Sequence, residues 1–272
     1  MMMLARLQQA AFDAGDGLRR RAILVRQPAP PGVRAPPLGL LWRELGVLFG
    51  SRRGLDRVIR AERPVPVMLL PGFGAHPARM RHLAAALEQA GHRVHHWGMG
   101  FNFGPTAENF EFLVGRVGRI ARIEHEPVVL VGWSLGGLFA REIAKARPEA
   151  VAKVITLGTP FSGDRRANNA WRAYQAITGH AVDQPPIHGD FAVKPPVPTV
   201  AVWSVRDGVI APRCARGRPG ERDRAVAVRC SHLEFVASPQ AIEAVLRELD
   251  RAEAPCPLPS AAAGLSIALP AG

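Results

Sequence analysis

A serine between glycines, in Gly132-Trp133-Ser134-Leu135-Gly136, is the part of this chain whose residue types and spacing most directly suggest chemistry. The apolar run at 128–131 predicts a buried strand before it, and the apolar spacing over 135–147 predicts a helix after it. The G-x-S-x-G spacing is typical of a nucleophilic serine in a strained strand-to-helix turn, where glycines let the backbones pass closely. The structural alternative is a serine that only caps the helix.

A nucleophilic serine needs a histidine that takes its proton and a carboxylate that orients the histidine. Asp207 follows a strand-like run at 198–205, and His232 follows a shorter one at 225–229. Both residues therefore fall in loops at strand ends, where parallel sheets gather their reactive groups. Their order after Ser134 is the order Ser, Asp, His that accompanies a strand-to-helix nucleophile.

Each of these partners also has an alternative interpretation. Asp207 precedes Gly208, as in an ordinary turn, and His232 could be a surface loop histidine. Asp183 and Asp190 are rival acids in a proline-rich stretch. They rank below Asp207 because no strand immediately precedes them.

A serine that attacks a carbonyl also needs backbone N–H groups to stabilise the oxyanion that forms. Leu135, directly after the serine, is expected to supply one of them. The second donor is expected from Pro71-Gly72-Phe73-Gly74, which ends an apolar run, and we assign it to Phe73. A glycine-rich turn without a catalytic role is the alternative.

The elements that must position these residues alternate between strand and helix patterns. Strands are predicted at 65–71, 92–97, 128–133, 153–158, 199–205 and 225–230. This order predicts an α/β fold with a mainly parallel sheet and helices on both faces. With 272 residues, 47% of them hydrophobic, the chain can bury the core of one such domain.

The pattern of predicted elements divides the chain into three regions. Residues 63–252 are predicted to form the catalytic domain, and residues 1–62 a helical and proline-rich extension. The extension includes an amphipathic stretch at 38–49, which we expect to pack on the domain or a partner more than on a membrane surface. Residues 253–272 carry four prolines and are predicted to be a flexible tail.

With these residues in hand, the chain resembles the α/β-hydrolase superfamily, and within it bacterial lipase and esterase-like hydrolases. The similar segments are 70–73, 91–94, 97–100, 102–106, Gly132 to Gly137, 155–160, 204–208 and Ser231-His232. The resemblance implies a serine hydrolase of carboxylic esters that uses Ser134, Asp207 and His232 and needs no cofactor. The chain departs from the commoner pattern at Pro71, where many lipases have histidine, and at Leu233, where a small residue often follows the catalytic histidine.

In this superfamily a small cap usually lies over the site, which places it here within 161–198. Apolar residues at helical spacing predict a cap helix over 164–178. Its apolar face could cover the acyl pocket or pack on the core, and both alternatives stay open. The predicted substrate-binding residues are Trp133, Phe161, Trp171 and Tyr174.

The net charge of +12 raises the question of a nucleic-acid partner. Nearly all basic residues are arginine, with lysine only at 145, 153 and 194, and they are scattered along the chain. Because no nucleic-acid motif accompanies them, we expect no nucleic-acid partner. The expected substrate is a small-molecule ester or a lipid.

Cysteine and histidine spacing gives no indication of a metal. Cys214 and Cys230 lie near the expected acid and base loops, so a disulfide between them stays open. His95 and His96 would point to opposite faces of a strand and could not share an ion. We therefore expect neither a metal nor a cofactor.

Charges interrupt every apolar run in residues 1–21, which do not contain the apolar core of a signal peptide. A cytoplasmic location is the resulting expectation. Two alternative functions stay open beside ester hydrolysis: an acyltransferase that uses the same residues, and a catalytically silent hydrolase fold that acts as an interaction module.

Overall fold

The computed structural model describes residues 16–49, 55, 57–187 and 189–251. The helices are α1 (16–26), α2 (Leu38–Phe49), α3 (Arg81–Ala90), α4 (Ala107–Glu124), α5 (Leu135–Ala146), α6 (Trp171–Thr178), α7 (Pro212–Arg216) and α8 (Pro239–Asp250). The strands are β1 (Pro66–Leu70), β2 (Arg93–His96), β3 (Val128–Trp133), β4 (Val151–Leu157), β5 (Thr199–Ser204) and β6 (Arg224–Val228). Short 3₁₀ helices occupy Pro77–Met80, Pro148–Ala150 and His232–Glu234.

The strands of the described residues form one six-stranded sheet in the order β2-β1-β3-β4-β5-β6, and every neighbouring pair is parallel. All residues of β1 and β3 are buried, which explains why these strands have continuous apolar sequences. One core cluster joins the sheet to Leu83 of α3 and Ile242 of α8, and another joins it to Val117 of α4 and Phe139 of α5. The predicted α/β fold is confirmed.

The cap helix is shorter than its apolar spacing predicts. The prediction placed one helix over 164–178, whereas α6 begins at Trp171 and residues before it form turns and a bridge. Asp164 Oδ1 accepts from the N–H of Arg166 at 2.7 Å, and Asn168 Oδ1 accepts from the N–H of Ala170 at 2.8 Å. These side chains take the backbone donors that a helix would need, so the prediction for residues 164–170 was wrong.

The described part of the N-terminal region packs against the rest of the chain. Gln175 of α6 donates from Nε2 to the carbonyl of Leu24 in α1 at 2.6 Å. Asn169 donates from Nδ2 to the carbonyl of Pro36 at 3.1 Å. These contacts join the segment before β1 to the cap. The predicted tail at 253–272 lies outside the described residues.

The start of α5 lies against the sheet with no room for side chains between them. A Cβ atom on Gly132 would lie 2.4 Å from the carbonyl oxygen of Gly136. A Cβ atom on Gly136 would lie 2.2 Å from the carbonyl oxygen of Leu70. Since the neighbouring atoms are backbone, no side-chain rotation can make room. Glycine at these positions therefore determines how closely the helix approaches the sheet.

This close approach predicts a large loss of stability for Gly132→Ala. The added methyl group must displace the first turn of α5, which should lower the free energy of unfolding by about 3 kcal/mol. Chemical denaturation followed by circular dichroism measures the change.

Gly115→Ala is the matched control, since a Cβ atom there would meet only Arg119 Nη1, at 3.6 Å. Gly115 lies within α4, where alanine is favoured over glycine, so the free energy of unfolding should rise by about 0.5 to 1 kcal/mol. A Gly132→Ala protein as stable as the wild type would contradict the described contact between α5 and β3.

Candidate active site

Ser134 occupies the turn between β3 and α5 with a backbone conformation that is rare for a side-chain-bearing residue. Its φ is 53° and its ψ is −119°. Two hydrogen bonds hold the turn, from the N–H of Ser134 to the carbonyl of Leu157 at 2.8 Å and from the N–H of Gly137 to the carbonyl of Ser134 at 3.0 Å. Such strain costs about 1 to 3 kcal/mol and persists only where the surrounding structure imposes it.

Asp207 and His232 form a buried pair in the loops that follow β5 and β6. Asp207 Oδ1 accepts from the N–H groups of Val209 at 2.8 Å and Ile210 at 2.7 Å. Its Oδ2 lies 2.9 Å from His232 Nδ1, and the two side chains are 1% and 5% exposed. One carboxylate oxygen is thus fixed by the backbone, while the other orients the imidazole and leaves Nε2 for proton transfer.

The pair lies at the same edge of the sheet as Ser134. Trp133, the residue before the serine, donates from Nε1 to the carbonyl of His232 at 3.1 Å, and their rings are 5.9 Å apart. Phe235 contacts the imidazole edge-on, with ring centroids 6.1 Å apart. The hydrogen bonds found among the described residues include none between Ser134 and His232.

Competing influences set the pKa of His232. Burial is the largest and lowers the pKa, because it disfavours the charged imidazolium. The charge of Asp207, its hydrogen bond and the charge of Glu44 act in the opposite direction. Together they raise the pKa of His232 above its ordinary value.

Glu44 is a residue of this site that the sequence reasoning missed. It lies on α2 and is 2% exposed. Its Oε1 accepts from the N–H groups of Gly208 at 2.9 Å and His232 at 2.6 Å, and its Oε2 accepts from the N–H of Leu233 at 3.0 Å. The signal in the sequence is a single acidic residue in the otherwise apolar or basic helix LGLLWRELGVLF.

The two residues expected to stabilise an oxyanion, Phe73 and Leu135, line the same cavity as Ser134. Leu135 is the first residue of α5, where a helical N–H has no partner within the helix. Among the hydrogen bonds of the described residues, none uses the N–H of Phe73. Buried Asn102 holds the loop around Phe73 by donating from Nδ2 to the carbonyl of Pro71 at 2.8 Å, and its own carbonyl accepts from the N–H of Gly74 at 2.7 Å.

A mostly apolar cavity opens beside Ser134. Phe73 lines it from the loop after β1, Leu135 from the start of α5, and Trp171 and Tyr174 from the cap. The rings of Phe73 and Tyr174 are in contact, with centroids 5.4 Å apart. The remaining wall includes Pro105, Leu138, Pro160, Arg165, Asn168, Ala170, Val182, Pro185, Phe191 and Ile210. The face of α6 that carries Trp171 and Tyr174 therefore covers the cavity.

Comparison with known proteins agrees with this architecture. Residues 65–182 match the family model described as the alpha/beta hydrolase fold. The chain has the α/β-hydrolase fold. The α/β-hydrolase fold expected from Gly132 to Gly137 and the neighbouring segments is thereby confirmed. No curated protein matches the sequence significantly.

Solved structures of two lipases and of an α/β-hydrolase enzyme share the fold at low sequence identity. The monoacylglycerol lipase of Paleococcus ferrophilus is 19% identical, with a TM-score of 0.50 over 71% of this chain and 95% of that chain. An α/β-hydrolase enzyme from the metagenome of lagoon sediments at Mar Chica, Morocco, is 17% identical, with a TM-score of 0.50 over 74% and 97%. The Bacillus licheniformis lipase BlEst2 is 16% identical, with a TM-score of 0.54 over 75% and 53%.

Trp133 and Phe161, predicted to bind substrate, are placed elsewhere by this α/β-hydrolase fold. Trp133 is buried in the core cluster that also contains Phe235. Phe161 lies under the guanidinium of Arg141, whose Cζ is 4.2 Å from the ring centroid. Neither belongs to the cavity lining in the described structure, although Phe161 packs with the lining residues Leu138 and Phe191.

Arg141 is a buried arginine on the helix that follows Ser134. Its guanidinium donates to the carbonyls of Phe191, Ala192, Val193 and Glu221, at distances of 2.9 to 3.2 Å. Burial lowers its pKa to about 10, while the charges of Glu142, Glu221 and Asp190 oppose that shift. The side chain thus remains protonated near neutral pH and ties α5 to the returning end of the cap.

Among the described hydrogen bonds and ion pairs, neither rival acid contacts His232. Asp183 pairs with Arg166 at 3.2 Å, and its side chain is 49% exposed. Asp190 Oδ1 accepts from the N–H of Ala192 at 3.0 Å. The imidazole contact of Asp207 therefore distinguishes it from both.

Within the described residues, neither the cysteines nor the histidines near His95 form a disulfide or a metal-ligating cluster. Cys214 and Cys230 are free and buried. His95 Nε2 lies 2.8 Å from Glu124 Oε1, and no cluster of metal-ligating side chains occurs in the described part of the chain. Nor does any helix in that part combine the length and apolar character needed to cross a bilayer.

The Asp207 contact predicts the titration of His232. In a Ser134→Ala protein the imidazole should titrate above about 6.5, the ordinary histidine pKa, because Asp207 stabilises its charged form. Asp207→Asn should lower that pKa, since burial then acts with less opposition. NMR of the labelled imidazole as a function of pH measures both values.

Asp183→Asn is the control for this titration, and it should leave the imidazole pKa unchanged because Asp183 pairs with Arg166 instead. An unchanged pKa in Asp207→Asn would show that the buried pair does not form in solution.

Proposed function

We propose that this protein is a serine hydrolase that cleaves uncharged carboxylic esters through an acyl-enzyme on Ser134. The observation that carries the proposal is the buried pair of Asp207 and His232, which shares one edge of the sheet with the strained turn of Ser134. Strain at that serine is the geometry that exposes a nucleophile between strand and helix. The proposed activity is the esterase and lipase-like function expected from the sequence motifs.

In the proposed mechanism, His232 Nε2 takes the proton of Ser134 as Oγ attacks the ester carbonyl. Asp207 holds the imidazole in the tautomer that can accept this proton and stabilises the imidazolium. The imidazolium then gives the proton to the leaving alcohol, and water activated by His232 releases the acid. Catalytic contacts are often long in unliganded sites and shorten when substrate binds, which accommodates the absence of a Ser134 to His232 bond among the described contacts.

The N–H groups of Phe73 and Leu135 are proposed to bind the oxyanion. Both residues line the cavity beside Ser134, and Asn102 fixes the loop that carries Phe73. Preorganised backbone donors of this kind are typically the largest electrostatic contribution to acyl transfer. Pro71 accepts the Asn102 hydrogen bond through its carbonyl, so the loop is anchored although it lacks the histidine common in lipases.

The substrate class follows from the cavity. Aromatic and aliphatic side chains dominate its lining, with Arg165 and Asn168 among the few polar contributors. Such a wall favours an acyl chain over a charged group. Among the three proteins of similar fold named above, two are described as lipases. We therefore propose a small-molecule ester or a lipid as substrate and, from the sequence, a cytoplasmic location.

The nucleophile assignment predicts covalent labelling at Ser134. A fluorophosphonate should modify this residue, and Ser134→Ala should abolish labelling and lower ester turnover on the order of 10⁴-fold or more. Peptide mass spectrometry identifies the site, and circular dichroism checks the fold.

Ser162→Ala provides a matched control, because Ser162 is buried nearby but does not line the cavity. It should retain labelling and turnover. Modification at another serine would refute the assignment, and failure of the wild type to react at all would favour the non-catalytic alternative. A product that carries the acyl group on an added alcohol would indicate an acyltransferase.

The apolar cavity predicts a preference for longer acyl chains. Each buried methylene contributes about 0.8 kcal/mol, or roughly fourfold in kcat/KM. A series of p-nitrophenyl esters from acetate to dodecanoate should therefore show kcat/KM rising from acetate to butyrate or beyond until the cavity is full. Preference for acetate over every longer ester would show that these side chains do not bind the acyl group.

A further inference from the structure

Glu44 connects helix α2 to both loops that carry the acid and the base. We propose that Glu44 is a positioning residue of the active site, whose carboxylate holds the Asp207 and His232 loops in register for proton transfer. This inference rests on the proposed function. It assigns part of the N-terminal extension to the catalytic machinery.

The contacts of Glu44 reach both loops at once. Gly208, directly after the acid, donates its N–H to Oε1, and so does His232. Leu233 donates to Oε2. Apart from the pair of Asp207 and His232, the loops are joined by Ser204, whose Oγ donates to the carbonyl of Cys230 at 2.6 Å. Glu44 thus fixes the backbone on either side of the reacting imidazole.

The backbone of α2 lies directly against the loop that carries Asp207. A Cβ atom on Gly208 would lie 2.5 Å from the carbonyl carbon and oxygen of Leu40. Only glycine therefore allows the helix to approach closely enough for Glu44 to reach the N–H groups. Gly208 is therefore needed for the close packing of α2, in addition to forming the turn after Asp207.

A carboxylate suits this position better than an amide. Three N–H groups converge on its two oxygens, so each oxygen must accept. Glutamine has one oxygen, and its NH₂ group would face an N–H donor. Within the described residues Glu44 has no arginine or lysine partner, so its charge is compensated by backbone dipoles and remains available to the imidazole.

The charges around His232 make the role of Glu44 measurable. Asp207 faces the imidazole from the loop after β5, and Glu44 from α2. Glu234 lies on the same 3₁₀ helix as His232, with its carboxylate bound to the N–H of Ser231. Cys230 is uncharged, because burial raises the pKa of its thiol far above the ordinary value. Removing the negative charge of Glu44 therefore destabilises the imidazolium.

The test is Glu44→Gln in the full chain, with p-nitrophenyl butyrate as substrate. We expect kcat to fall about 10- to 100-fold with little change in KM, because misplacement of a reacting group affects the chemical step. The acid limb of the kcat/KM profile should move to lower pH, since the imidazole loses its proton more readily. A purely structural role would not move that limb.

Two further variants complete the design. Arg43→Gln changes the exposed neighbour on the same helix and should leave kcat and the pH profile as in the wild type. Glu44→Asp keeps the charge but is one methylene too short to reach all three donors. It should lower kcat while leaving the acid limb in place. If Glu44→Gln does not fold, Glu44→Asp still tests the proposal, and a wild-type kcat in it overturns the proposal.

Imidazole titration separates this inference from the proposed function. In a Ser134→Ala background, where turnover plays no part, Glu44→Gln should lower the His232 pKa measured by NMR. A wild type that hydrolyses no ester would overturn the proposed function, while the titration would still report on the Glu44 contact. An unchanged pKa, or a Glu44→Gln protein with wild-type kcat and acid limb, would overturn the role of Glu44.

Discussion

The contact between the first turn of α5 and the sheet is the constraint on which the rest of the site depends. A Cβ on Gly132 would overlap the backbone of Gly136, and a Cβ on Gly136 would overlap the backbone of Leu70, so the helix can approach the strands this closely only with glycine at both positions. Ser134 is the residue left between them, and its positive φ is the consequence. The strain is sustained because β3 is fully buried and α5 buries Phe139 and Ile143 against the core.

Beside the serine the fold must also hold ionisable side chains that are buried away from water. Backbone N–H groups of the loops stabilise these side chains. Two N–H groups bind Asp207, and three bind Glu44. Burying a carboxylate costs several kcal/mol unless such bonds replace its water. The imidazole of His232 then lies in a field from two carboxylates, which favours the charged form that acyl transfer requires.

The features that the sequence predicted are those encoded locally. Glycine spacing gave the turn of Ser134, and apolar runs gave the parallel strands. The predicted start of α6 was wrong because the side chain of Asn168 accepts the N–H of Ala170 and so forms a turn before the helix. Asn168 also forms a β-bridge with Ile210, which local spacing does not encode. Glu44 was missed because its partners lie 164 to 189 residues further along the chain. Long-range polar contacts of this kind leave no periodic signal.

The same long-range contacts connect the cap to the nucleophile. Arg141 lies seven residues after Ser134 on a rigid helix and binds carbonyls at 191–193, where the cap returns to the sheet. Gln175, in helix α6 of the cap, binds α1 through the carbonyl of Leu24. The next helix, α2, contributes Glu44, which binds the N–H of His232. The cap is therefore held at one end by the helix of the nucleophile and at the other by the segment that also holds the base. A displacement of the N-terminal segment would consequently alter the substrate cavity and the alignment of His232 together.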